Sequence, residues 1–224
     1  GTAATAERIL PLLPPGRSTY MFTDVSPVFL KQAKQRFSEY GFLRTSLFNM
    51  EDQPEIQGFE TGIYDIVIAA NVLHAAKDLS VAVRHAASLL RPGGMLLLYE
   101  ITRANFLGEI TTGLLLPNIT DCAVRGIQPM ASNKTWESVL AASGFGDIQI
   151  LPRDDQAEAA LPDRVLSARY LTNNVRAGAV LPAGCTYQTV WEKRDITGKG
   201  AGLGRILLLV NHEDASPFKK KKKK

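Results

Sequence analysis

The side chains best suited to chemistry in this chain lie at the ends of apolar runs. His74 stands three residues past Asn71, just beyond Tyr64–Ala70 (YDIVIAA). A neutral imidazole there can take a proton at near-neutral pH, although a hydrogen-bonded structural histidine would also suit the position. Glu100 ends the next apolar run, Met95–Ile101 (MLLLYEI). If these runs are neighbouring strands, His74 and Glu100 face one cleft. The carboxylate would then fix the ring tautomer and stabilise the imidazolium. A lone carboxylate closing so apolar a run needs a partner, and a surface pair with Arg103 or a lysine would also supply one. Asp24 directly follows Thr19–Thr23 (TYMFT). An acid at the end of a second strand can accept hydrogen bonds from both ribose hydroxyls. It could instead cap the next helix, but Ser26 is better placed for that. Asn49 ends a further strand, and Asn71 is counted with the cofactor-binding positions. Gly1-Thr2-Ala3-Ala4-Thr5 reads as a turn into the first helix where a ligand could approach backbone, with a single glycine left.

Alternating elements must position these groups. Ala3–Leu13 reads as a helix closed by Pro14-Pro15-Gly16, and Val28–Tyr40 as an amphipathic helix with Ser26 at its N-cap and Pro27 at its first position. Phe42–Phe48 reads as a strand. The run 64–70 is apolar enough for a parallel strand buried on both faces. Leu79–Leu90 is a helix stopped by Arg91-Pro92-Gly93-Gly94, before the strand 95–101. The alternation predicts βαβ units and a doubly wound α/β sheet, with ligands at the carboxyl ends of its strands. Beyond Arg103 the expectations are a helix over Phe106–Leu116, a helix over Ser132–Ser143 capped by Ser132 or Asn133, a loop over Asp154–Ala160, and closing strands Ile148–Leu151 and Val165–Leu171. Residues 173–185 read as a small-residue linker. Thr186–Glu192 and Arg205–Val210 (RILLLV) read as strands of a different region that follows it.

The chain has 224 residues and a formal charge of +4, but six lysines form one run, Lys219–Lys224. Subtracting these six from 26 Lys and Arg leaves 20 against 22 Asp and Glu, so the body carries −2. No basic stripe for nucleic acid is spread over the body. The tail could be a basic arm for anionic partners, but is expected to be a disordered or artefactual end. Cys122 and Cys185 have no His or Cys at ligand spacing, so neither a metal site nor a disulfide is expected. Reduced thiols suit a cytoplasmic protein. No run of 18 apolar residues is present, so no membrane helix is expected. His85 and His212 are given no role.

The strings TYMFTDVSPVFLKQAKQRF, YDIVIAANVLHAAKDL and LLRPGGMLLLYEIT resemble the methyltransferase domains of polyketide synthases, bacterial and fungal alike. The resemblance covers roughly residues 1–171. It implies a class I methyltransferase, Rossmann-like fold, here with the first strand missing. It implies S-adenosylmethionine as cofactor. Gly1 and Thr2 match the remnant of its glycine loop, with Ala3 and Ala4 where glycine is common. Asp24 matches the ribose acid. Asn49 and Met50 fall where Asp-Ile commonly lies near the adenine. His74 and Glu100 match the catalytic pair. The implied reaction is C-methylation of the α-carbon of a β-ketoacyl chain on an acyl carrier protein, with neighbouring synthase domains as further partners. Leu114–Asn118 departs from a GW or GWW segment common in the family. Residues 186–218 are similar to the start of a ketoreductase structural subdomain. O-methylation by a related synthase domain and an inactive scaffold remain open as alternatives. A nicotinamide-dependent oxidoreductase is disfavoured by the lack of a full GxGxxG and of a Tyr-x-x-x-Lys pair.

Overall fold

Short apolar runs whose successive side chains must be buried on opposite sides can only be satisfied inside a sheet covered on both faces. In the computed structural model, which describes residues 3–103, 119–126, 130–152, 162–171 and 204–209, seven such runs form one sheet. In chain order the elements are α1 (Ala4–Ile9), β1 (Ser18–Asp24), α2 (Pro27–Arg36), β2 (Leu43–Leu47), β3 (Tyr64–Ala70), α3 (Leu79–Leu89), β4 (Leu90–Ile101), α4 (Cys122–Arg125), α5 (Asn133–Ala142), β5 (Phe145–Leu151), β6 (Asp163–Tyr170) and β7 (Gly204–Leu209). The strand order is β2-β1-β7-β3-β4-β6-β5. The first five strands are parallel, and β6 runs antiparallel to both β4 and β5.

Side-chain alternation assigns the faces. Val67, Ala69, Leu96 and Leu98 pack with Ala82, Val83 and Ala86 of α3 and Trp136, Val139 and Leu140 of α5. Ile68, Tyr20 and Phe22 point the other way, onto Ala6 and Leu10 around α1 and Leu30 and Ala33 of α2. Removing a buried leucine from either layer would cost about 2–5 kcal/mol. The helices are thus doubly wound, as expected.

The element boundaries differ from the sequence reading where local chemistry intervenes. The first helix is α-helical only to Ile9 and tightens to a 3-10 turn over Leu10–Leu12, because Pro11 has no N–H to continue the ladder. The helix α2 stops at Arg36, and Phe37–Leu43 close successive turns instead. The Arg91–Gly94 segment does not separate helix from strand. It lies inside β4, in an irregular stretch where pairing with β3 shifts between Tyr64 and Ile66. A side chain on Gly94 would meet the Arg91 and Tyr64 carbonyl oxygens at 2.9 and 3.1 Å, so only glycine passes there. The strand β5 starts at Phe145, earlier than expected, with an irregularity between Gly146 and Gln149 that no periodic pattern signals.

The largest correction concerns residues 204–209. They do not open a separate region. As β7 they form the sheet's central strand, parallel to β1 and β3. Ile206, Leu207, Leu208 and Leu209 are all buried, and only a central position covers both sides of so apolar a strand. The Thr23 hydroxyl donates to the Leu208 carbonyl oxygen at 2.7 Å. No strand precedes α1 among the described residues, so the sheet's middle is completed from the far end of the chain. The expected helix 106–116, loop 154–160, linker 173–185, strand 186–192 and lysine tail lie outside the described residues.

Candidate active site

The parallel register brings the carboxyl ends of β1, β7, β3 and β4 to one edge. Phe22 is level with Leu208, Ala69 with Leu209, and Ala70 with Tyr99. After Ala70 the backbone turns left-handed at Asn71, with φ 52°, and its N–H donates to the Tyr99 carbonyl oxygen at 2.7 Å. A 3-10 turn over Leu73–Ala75 follows and buries His74. The turn delivers the ring to the tip of β4. His74 Nδ1 and Glu100 Oε2 lie 2.6 Å apart, with side chains 4% and 0% exposed.

Glu100 does more than hold the ring. Its Oε1 accepts the Val72 and Leu73 N–H groups at 3.1 and 3.0 Å. Those amides open a tight turn and would otherwise be buried without partners. With Glu100 as carboxylate, the shared bond favours the tautomer with its hydrogen on Nδ1, which makes Nε2 the nitrogen able to take up a proton. The carboxylate also compensates the charge that arises when the ring gains a proton. Glu100 thus faces His74 in one buried arrangement rather than forming the alternative surface pair with Arg103 or a lysine. A buried carboxylate and imidazole joined at that distance, on neighbouring strand tips, have the geometry that general-base chemistry requires.

Comparison with known proteins agrees with this geometry. Residues 1–96 match the family described as Methyltransferase domain. The chain is 36% identical over 182 residues to the hybrid PKS-NRPS synthetase tasS of Hapsidospora irregularis, covering 75% of this chain and 4% of that protein. It is 36% identical over 161 residues to the polyketide synthase ThaQ of Burkholderia thailandensis, covering 69% and 8%. The solved CurJ carbon methyltransferase superposes with a TM-score of 0.73 at 37% identity, over 77% of this chain and 46% of that one. The chain is an S-adenosylmethionine-dependent methyltransferase domain, and it strongly matches those of polyketide synthases. It spans less than a tenth of the length of these two synthases, and its sheet is the class I methyltransferase fold.

The other expected positions of this methyltransferase domain separate into those at the site and those spent elsewhere. Asp24 ends β1 and is fully buried. Its Oδ1 accepts the Ser26 N–H at 2.8 Å, while the Ser26 side chain makes no cap bond to α2. The acid thus closes a two-residue turn onto the Ser26 N–H, just ahead of α2. Asn71 lies exposed at the tip of β3, between β1 and the dyad. Asn49 is engaged locally: its Nδ2 donates to Asp52 at 2.8 Å and its Oδ1 accepts the Glu51 N–H at 3.1 Å. The Met50 side chain is buried in the larger core cluster. The Met50 carbonyl oxygen accepts from His85 Nδ1 at 2.8 Å, so His85 fastens the loop after β2 to α3. Gly1 and Thr2 lie outside the described residues, and Ala3 beside them is left-handed, with φ 59°.

The donor set fits a nucleoside cofactor at this edge. Asp24 and Ala70 stand on strands separated by β7, so two strand spacings of about 4.8 Å put the acid about 10 Å from the centre of the edge. A carboxylate accepts several hydrogen bonds at once, which suits a ribose diol beside the bond from Ser26. A ribose reaches this covered carboxylate only by displacing what lies over it.

Sequence reading missed Asp121 and Arg125. Both are buried, and Arg125 Nη2 lies 2.7 Å from Asp121 Oδ1. The only signal was their four-residue spacing, which is that of an ordinary ion pair on a helix. Among the described residues no cluster of His, Cys, Asp and Glu could hold a metal.

Proposed function

We propose that this domain methylates the α-carbon of a β-ketoacyl chain tethered to an acyl carrier protein, acting in the cytoplasm within a larger synthase. The observation that carries this reading is the buried His74–Glu100 contact of 2.6 Å at the tips of adjacent parallel strands. A carbon between two carbonyl groups is acidic enough for a histidine base, provided the base is aimed and its charge is compensated. His74 Nε2 takes the α-proton, and Glu100 fixes the tautomer and balances the imidazolium. Loss of that proton makes the carbon nucleophilic. S-adenosylmethionine, when bound, supplies a methyl group on a sulfonium leaving group. Asp24 would hold its ribose and Asn71 would line its path. Burial of the dyad excludes water, which would otherwise compete for the proton.

The synthase relatives support a carrier-bound acceptor and neighbouring catalytic domains as partners. The test is to load a carrier protein with an acetoacetyl group, supply S-adenosylmethionine and the domain in its parent synthase, and locate the added methyl by fragmentation mass spectrometry. A methyl on the α-carbon is expected. A methyl on oxygen would replace this reading with O-methylation. No product, together with no cofactor binding, would favour an inactive scaffold.

A further inference from the structure

Arg125 is buried beneath the turn that carries His74, and most of its hydrogen bonds go to backbone. Its Nη1 donates to the His74 carbonyl oxygen at 2.6 Å. Its Nη2 donates to the carbonyl oxygens of Ala76 and Lys77 at 2.6 and 3.1 Å. Its Nε donates to Asp121 Oδ1 at 2.8 Å. Asp121 Oδ2 in turn accepts the N–H of Leu79, the first residue of α3, at 2.7 Å. From this we propose that Asp121 and Arg125 are positioning residues that set the aim of the His74 ring.

The turn is gripped from both ends. Its opening N–H groups, Val72 and Leu73, point at the Glu100 carboxylate. Its closing carbonyl groups, from His74 onward, point at the Arg125 guanidinium. Peptide dipoles favour negative charge at their N–H end and positive charge at their carbonyl end, so the two charges bracket the turn in the stabilising sense. Holding the His74 carbonyl oxygen fixes the backbone from which the ring hangs, so the ring meets Glu100 from one defined origin. Lysine substitutes only in part, because it keeps the charge but lacks the planar fork that spans three carbonyls and a carboxylate together. Asp121 keeps the fork flat against the turn and ties it to α3, so the base is referenced to the helix layer as well as to β4. Positional errors of about 1 Å at a reacting group can cost about 100-fold in rate.

This inference rests on His74 acting as the base, and the experiment separates the two claims. In the full synthase, Arg125→Met and Asp121→Asn are each expected to lower kcat for methyl transfer to acetoacetyl carrier protein by about 10- to 100-fold, with Arg125→Lys between them and the parent. The KM for S-adenosylmethionine should stay unchanged. In a His74→Ala background the same substitutions should add no further loss, since they act through the missing ring. Undiminished kcat, or losses that multiply with His74→Ala, would overturn the proposal. The second readout needs no acceptor: the downfield proton resonance of the His74–Glu100 bond, identified by its absence in His74→Gln. It is expected to shift or broaden in Arg125→Met, and in Asp121→Asn if the methionine variant does not fold. An unmoved resonance would overturn the positioning role. A parent enzyme that transfers no methyl to carbon would defeat the proposed function, while the resonance would still decide the role of Arg125.

Discussion

At the tips of β3 and β4, the side-chain hydrogen bonds that tie His74 and its turn to Glu100 and Arg125 connect residues 26 to 51 positions apart. At the tips of β1 and β2, the side-chain bonds of Asp24 to Ser26 and of Asn49 to Glu51 and Asp52 connect residues two or three positions apart. The proposed acceptor end is thus assembled by the tertiary fold, since β3 and β4 must pair and α4 must dock before the His74 ring takes its place. At the proposed nucleoside end the sheet places the strand tips, and local turns hold the Asp24 and Asn49 side chains. A proton-taking group gains from rigidity, because its geometry must be right at the moment of transfer. A pocket that admits and releases a cofactor gains from loops that open cheaply.

The sharpest way to break this contrast is to damage the acceptor end and look for effects at the other. Replacing His74 by Gln should reduce methyl transfer by about 10²- to 10⁴-fold, while calorimetry with S-adenosylhomocysteine shows unchanged affinity. Glu100→Ala should do comparable damage to rate. It should also cost about 3–5 kcal/mol of stability in denaturant titration, as expected for one half of a buried charged pair, because it strands the ring and two amides.

Damage to the nucleoside end should show the opposite division. Asp24→Ala removes hydrogen bonds to a charged acceptor, worth about 1.5–3 kcal/mol, and should weaken S-adenosylhomocysteine binding by about 10- to 150-fold. Proton removal from the acceptor should be unaffected. Equal loss of both would mean that the two ends are one unit and the contrast is false.

Two smaller effects sharpen the picture. Asn49→Ala should cost about 1 kcal/mol of stability through its turn and leave cofactor affinity unchanged. A clear loss of affinity would restore the adenine contact that its local bonds argue against. Tyr20 is fully buried with its hydroxyl unpartnered, and burial raises its pKa above the usual phenol value. Tyr20→Phe should therefore be neutral or stabilising by about 1 kcal/mol. The sign with pH follows from linkage: above about pH 10 the unfolded chain sheds the phenolic proton more readily than the folded one. Parent stability should fall there, and the Phe variant should lose less of it over the same range.

The same contrast explains what could be read from sequence. The runs 64–70 and 95–101 announce buried strands by being apolar almost throughout, and His74 and Glu100 stand out because polar groups are costly there. Their pairing then needed only that the strands be neighbours. The roles of Asp121 and Arg125 could not be read from sequence, since Arg125 donates to backbone carbonyls and Asp121 accepts a backbone N–H that only the docking of α4 brings within reach. The place of β7 was equally hidden: an apolar run shows that a strand is buried but not which sheet buries it. The local occupation of Asn49 depended on turn geometry that its residue type permits without requiring.

The measurement closest to the central claim is proton exchange at the acceptor carbon. Acetoacetyl carrier protein is incubated with the enzyme in deuterated buffer without any methyl donor, and deuterium at the α-carbon is followed by mass spectrometry. The parent enzyme should accelerate exchange well above the buffer rate, and His74→Gln should abolish that acceleration. Exchange that proceeds equally in both would show that His74 is not the base.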